Sequence, residues 1–271
     1  MFDLGIVFIL FFIVLTLFVV LTERKLLAFA QRRFGPAIAG RNGWLQVVVD
    51  LLKLASKESF ILSNPLTSLC PPLIVFLFAI QVIFLQNFIF FPSGTLFRNI
   101  DSMILFHLML VMGSNLLLII VGFLCQSKYS LIGVIRSAVH IVSMDIFITI
   151  IYVILVLHAS SANFVDFAFC QGSYMNFVIF APLAGLFVVI TLLEAKRAPF
   201  DHVETESEVV AGYATEFSGI FLLTFYLVEY FHLIISAVHM SVIFLGAFSW
   251  LNPLALVSVT FSASLYPVFF W

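Results

Sequence analysis

Residues 4–21, LGIVFILFFIVLTLFVVL, hold no charged side chain and run directly into Thr22-Glu23-Arg24-Lys25. A helix needs about 20 mostly apolar residues to cross the hydrocarbon core of a bilayer, and this run is close to that length. Met1-Phe2-Asp3 supplies no basic leader, and no small-residue cleavage site follows, so the run reads as a first membrane helix rather than a removable targeting peptide. Six more apolar segments follow at 69–91, 103–125, 137–158, 175–193, 217–247 and 254–271. The sixth is too long for one perpendicular span and is expected to tilt or project from the membrane. It contains no Gly/Pro/Asn cluster that would fold it into two. The expected fold is an all-α integral membrane protein, a single transmembrane domain over 1–271 with about seven transmembrane helices.

Composition agrees. Hydrophobic residues make up 63% of the 271, charged residues 10%, and mean hydropathy is +1.21. A soluble domain carries roughly a quarter charged residues to cover its surface, so most of this surface faces something other than water. A net charge of −2 and 12 basic residues give no groove for a nucleic-acid backbone. Cys70, Cys125 and Cys170 lie far apart without a CxxC, so neither a disulfide framework nor a metal site is expected. Any Fe–S cluster or flavin is expected on another chain. The 34 phenylalanines suit an AT-rich, organelle-type genome.

Lys and Arg set the orientation. Arg24, Lys25, Arg32, Arg33, Arg41, Lys53 and Lys57 lie after the first span, Lys128 and Arg136 at the start of the fourth, Lys196 and Arg197 after the fifth. Only Arg98 falls on the opposite side, so the odd-numbered loops are expected to face the cytoplasm or matrix. The first of these loops carries its own helical pattern over residues 44–58. Gln46, Asp50, Lys53 and Lys57 recur at i, i+4, i+7 and i+11, with Trp44, Val47, Val48, Leu51, Leu52 and Leu54 filling much of the remaining surface. Such a helix is expected in the membrane interface, apolar side in lipid or against the bundle.

Ionisable groups within spans are costly, about 2.5–3.5 kcal/mol each on insertion scales, and mark functional positions. The fourth span holds Arg136 and His140 on one face, with Asp145 half a turn round from Arg136. The stretch 194–208, EAKRAPFDHVETESE, carries Glu194, Asp201, Glu204, Glu206 and Glu208 against Lys196 and Arg197. A solvated acidic loop is the plain alternative, but Pro199-Phe200 and the nearby sixth span hold it close to the bilayer. Crowded carboxylates there repel one another's charge and are suited to passing protons. The sixth span is expected to bury Glu216 and Glu229, with His232 and Ser236 on the face of Glu229.

Three sets of residues resemble a known family. Glu23-Arg24-Lys25, Gln31-x-Arg33-x-Gly35-Pro36 and Gly43-x-x-Gln46-x-x-x-Asp50-x-x-Lys53-x-x-x-Lys57-Glu58 resemble the first matrix loop of the core membrane subunit that joins the two arms of respiratory complex I. That family comprises subunit 1 of mitochondrial NADH dehydrogenase and the H subunit of the bacterial enzyme. Ser127-Lys128-Tyr129-x-Leu131-Ile132-Gly133-x-x-Arg136 is similar to its third-loop motif. Glu194-x-x-Arg197-Ala198-Pro199-Phe200-Asp201, then Glu204-x-Glu206-Ser207-Glu208, Glu216 and Glu229-Tyr230, resemble its main signature.

The resemblance implies a tunnel by which ubiquinone enters from lipid, lined or gated by Arg24, Arg33, Asp50 and Phe217. It also implies a funnel of acids, Asp145, Glu194, Asp201, Glu204, Glu206, Glu208, Glu216 and Glu229, linking the quinone site to proton channels. Implied partners are the peripheral quinone-site subunits, the other membrane-arm subunits and lipid. The implied location is the mitochondrial inner membrane, N-terminus towards the intermembrane space, with a bacterial plasma membrane as the alternative. Asp145 stands where the family has Glu, His140 where it has Gln, Met144 for Tyr, Phe34 for Lys and Lys196 for Asn. The family pattern continues beyond Tyr266-Pro267 with an Arg-rich loop and an eighth helix, and a separate chain is expected to supply them. The competing expectations are the related subunit of a membrane-bound hydrogenase and a proton-coupled transporter, although no internal repeat of the transporter kind is visible.

Overall fold

The computed structural model describes residues 2–58, 69, 71–81, 102–125, 127–163, 171, 176–194 and 216–244. Among these every regular element is helical. The helices are α1 (Phe2–Ala30), α2 (Gln46–Ser56), α3 (Pro71–Gln81), α4 (Met103–Leu124), α5 (Lys128–Ala159), α6 (Asn176–Ile179), α7 (Ala181–Glu194) and α8 (Gly219–Ile243). Three of them, α4, α5 and α8, are long and apolar enough to cross a membrane, and α3 and α7 are shorter apolar helices. Large apolar side chains point outward, among them Met109 and Leu116 of α4 and Val139, Val153 and Leu157 of α5. Contiguous exposed apolar surface of this kind suits lipid rather than water.

Helix ends follow capping chemistry rather than hydropathy. α1 continues nine residues past the apolar run and stops where Arg32 adopts a left-handed backbone (φ 54°) and the Arg33 N–H donates to the Ala28 carbonyl at 2.9 Å. α5 begins at Lys128, not at 137, because the Ser127 hydroxyl accepts the Ser130 N–H at 3.2 Å and no breaker follows. Its 32 residues, about 48 Å, exceed a bilayer core, and Arg136 lies inside the helix rather than before it. The fifth apolar segment divides into α6 and α7 because Pro182 has no N–H to offer the Val178 carbonyl. The described part of the sixth segment is helical only over Gly219–Ile243, shorter than 217–247.

α8 lies at the centre. It packs against α1, α2 and α7, while α5 packs on α4 and α7. From Phe231 to Phe244 α8 is buried on every face. Its last carbonyls are met by side-chain amides: Gln171 Nε2 donates to Val242 and Ile243 (3.1 and 2.6 Å), and Asn176 Nδ2 to Ile243 at 3.1 Å. Its first residue, Gly219, has φ +58°, and a Cβ there would stand 2.9 Å from the Lys57 carbonyl. This close approach, with Ser218 Oγ donating to the Glu58 carbonyl at 3.3 Å, fastens α8 to the end of α2. The seventh apolar segment, 254–271, the acids at 201–208 and Cys70 and Cys170 lie outside the described residues.

Candidate functional site: a carboxylate–imidazole cavity and a basic groove

Because α8 is buried all round from Phe231 onward, the polar side chains of that half face protein. The hydroxyls of Ser236 and Ser241 satisfy themselves on the carbonyls three residues back, at 2.9 and 2.7 Å. An imidazole is too long for that and needs a partner from another helix. His232 finds it in Glu194, the last residue of α7, with Nε2 to Oε1 at 3.0 Å and the two side chains 11% and 5% exposed. Asn115 of α4 donates its Nδ2 to the same oxygen at 3.5 Å and also engages Asp145 of α5. The edge of Phe78 on α3 closes over His232, ring centroids 6.1 Å apart. Four helices thus bring two carboxyls, an amide and an imidazole to the middle of the bundle.

Asp145, Glu194 and His232 border a cavity of about 30 Å³ that also takes in His107, Tyr152 and His239, room for a water or two. The rings of His107 and His239 meet edge to face at 4.2 Å, and Tyr152 stands 6.4 Å from His239. A buried, unpaired charge is expensive. A carboxyl hydrogen-bonded to an imidazole lowers that cost by sharing a proton, and either group can give it up or take it back. Among the described residues no three His, Cys, Asp or Glu side chains are arranged to hold a metal ion.

The second feature lies where α1 leaves the apolar run. Arg24, Leu27, Ala28, Arg33, Phe34 and Pro36 line a groove of about 330 Å³. Arg24 Nη1 donates to Asp50 Oδ2 at 2.6 Å, and Gln46 Nε2 to Asp50 Oδ1 at 3.1 Å. The Arg24 hydrogen bond is the main reason the Asp50 carboxyl lies below its ordinary pKa of 3.8. Trp44 anchors the start of α2 to α1, its ring 5.8 Å from Phe18 and 5.6 Å from the Lys25 ammonium. Gly43 makes the turn between them: it has φ +74°, and a Cβ there would collide with the Pro36 carbonyl. Arginines beside Phe34, which is fully exposed, give a surface with an apolar floor and a cationic rim.

Of the acids expected from sequence, Asp145 and Glu194 meet at the cavity. Glu216 does not belong to α8 and lies half-buried before it, and Glu229 is half-buried rather than buried; neither borders the cavity. His232, expected on the same helix face as Glu229, pairs across the bundle with Glu194. Asp201, Glu204, Glu206 and Glu208 lie outside the described residues. Arg24 and Arg33 share the groove and Asp50 holds Arg24, whereas Phe217 is buried against Phe225 at 4.9 Å and does not line it. Sequence reasoning missed His107, Asn115, Tyr152 and His239. A usable signal existed: His239 extends the row His232, Ser236 by the same helical step, and His107 is an ionisable group inside an apolar segment.

Helices clad in apolar side chains around a partly polar interior define an integral membrane protein. A model of the NADH dehydrogenase family matches residues 4–271, and the chain belongs to that family. It is 34% identical to NADH-ubiquinone oxidoreductase chain 1 of Paramecium tetraurelia, over 87% of this chain and 90% of that one. Chain 1 of Yarrowia lipolytica is also 34% identical, over 98% and 79% of the two chains. The H subunit of the NADH-quinone oxidoreductase of Ruthia magnifica is 34% identical over 92% and 70%.

Proposed function

We propose that this chain serves as a core membrane subunit of a proton-pumping NADH–quinone oxidoreductase, coupling quinone reduction to proton movement through its own interior. The observation that carries the proposal is the pairing of Glu194 with His232, braced by Asn115, at a cavity that Asp145 also borders. Protonatable groups at that depth are expensive and are kept where a proton must pass. In this reading Asp145 and Glu194 receive protons from the acids Asp201, Glu204, Glu206 and Glu208, with Glu216 and Glu229 nearby on the same route. The groove at Arg24 and Arg33 admits ubiquinone, its isoprenoid tail along Phe34 and Leu27, with Asp50 holding Arg24 in place and Phe217 supporting the wall. About seven spans, one transmembrane domain, a multi-pass position in the mitochondrial inner membrane with the N-terminus towards the intermembrane space, and docking of peripheral quinone-site subunits on the basic side complete the reading. The similarity to NADH-ubiquinone and NADH-quinone oxidoreductase subunits supports it, as does the apolar exterior.

The test is made on the assembled complex in sealed vesicles. Glu194→Gln is expected to abolish acidification driven by NADH and a short-chain quinone, while NADH oxidation by ferricyanide continues at the wild-type rate. Undiminished acidification would refute the proposal.

A further inference from the structure

The cavity does not end at Glu194. From Asn115 to His107 along α4, from Asp145 to Tyr152 along α5 and from His232 to His239 along α8 the chain moves eight, seven and seven residues, about 10–12 Å in each case. The hairpin of α4 and α5 is antiparallel, so all three steps run the same way, away from the end that carries Lys128 and the start of α8. The polar groups therefore form two tiers: carboxyls, amide and His232 at mid-bundle, and His107, His239 and Tyr152 nearer the opposite end. Apart from the Asn115 amide, both tiers border the same cavity. In the lower one the imidazoles of His107 and His239 stand 4.2 Å apart and fully inside the protein, 5% and 3% exposed.

We infer that His107 and His239 are a proton-transfer pair extending the route from Glu194–His232 toward the far side of the membrane. The inference rests on the relay proposed above. A neutral imidazole accepts a proton at one ring nitrogen and releases another from the second, so a proton enters on one side and leaves on the other, and the ring ends neutral in its other tautomer. The proton given up by Glu194 or His232 crosses the cavity, through a water where the gap requires one. It binds one imidazole of the pair, and the partner passes one on past Tyr152. Two adjacent imidazoles in a dry interior do not both hold a positive charge, because each disfavours the other's protonation. The pair thus carries one proton at a time.

The groups facing the pair are Glu194 from α7, Asp145 and Tyr152 from α5, and His232 and Ser236 from α8 itself. His158 on α5 supplies a control: it is exposed, packs on Phe180 at 4.9 Å and lies outside the cavity.

The experiment uses the assembled complex in sealed vesicles with NADH and a short-chain quinone. His107→Gln and His239→Gln are each expected to slow acidification about a hundredfold, the lower end of what one positioned proton-transfer group contributes. Ferricyanide-linked NADH oxidation and the His158→Gln variant should be unaffected. The solvent deuterium isotope effect on quinone-linked turnover should rise in both His variants as proton transfer becomes limiting. A smaller His239→Asn variant repeats the test if glutamine disturbs packing. Wild-type acidification in the His variants, with Glu194→Gln inactive, overturns this inference and leaves the relay standing. Slowed turnover with an unchanged isotope effect also overturns it, since that marks a structural role. Full activity of Glu194→Gln removes both proposals.

Discussion

Glu194 Oε1 and His232 Nε2 lie 3.0 Å apart between α7 and α8, with almost no solvent on either side chain. An ionisable pair this deep does little for stability by itself, but breaking it is costly because one buried polar partner is stranded.

Truncating either partner alone should therefore destabilise more than replacing both. Glu194→Ala or His232→Ala is expected to cost about 3 kcal/mol each, and the double variant clearly less than the sum. Thermal unfolding of the purified complex, followed by release of this subunit, reads the difference; strict additivity would count against the pair.

The turn at Gly43 should tolerate no side chain. Gly43→Ala meets both a left-handed backbone and the Pro36 carbonyl, and is expected to cost about 1–3 kcal/mol. The basic groove and the seat of α2 should suffer first. A loss of quinone-linked turnover at normal ferricyanide rates, with reduced thermal stability, is the expected signature. A fully stable and active alanine variant would contradict the turn geometry.

The Arg24–Asp50 pair is exposed on both sides, 48% and 34%, so its contribution to stability should be small, about 0–1 kcal/mol, and weakened by salt. Its sign with pH follows from the lowered Asp50 pKa. The stabilisation is fully present above the ordinary value of 3.8 and fades as the pH falls through the lower folded value. At neutral pH, Asp50→Asn should thus reduce quinone affinity through a misplaced Arg24, with little effect on melting. A rise in the quinone KM with unchanged ferricyanide oxidation is expected; parallel loss of both activities would indicate failed assembly instead.

Gln171 and Asn176 close the end of α8 from a segment distant in sequence. Gln171→Ala leaves two buried carbonyls without that donor, and a cost of about 1–3 kcal/mol is expected. Melting of the complex checks it, and an unchanged melting temperature would show that the cap is dispensable.

Hydropathy located the described helices but not their ends. The run 4–21 stops where charge begins, yet α1 continues to Ala30, because a helix obeys capping and backbone geometry, and Arg32 supplies the stop. Ser127 was readable as a cap, and its neglect put the start of α5 nine residues late. Asp145 and Glu194 stood out because a carboxyl in an apolar segment is conspicuous. Asn115 did not, because its meaning depends on which helix faces which, and that arises only from packing. The pairing of His232 with Glu194 has the same origin: helical spacing ranks neighbours along one helix and is silent about those across the bundle.

Infrared difference spectroscopy of the assembled complex during quinone reduction tests the central claim most directly, because it sees protonation of individual carboxyls. If Glu194 exchanges a proton with His232 as quinone turns over, the wild-type spectrum carries a carboxyl band that disappears in Glu194→Gln and shifts in His232→Gln. Identical carboxyl bands in the three proteins, at equal rates of quinone reduction, would show that Glu194 keeps its protonation state throughout and would contradict the account.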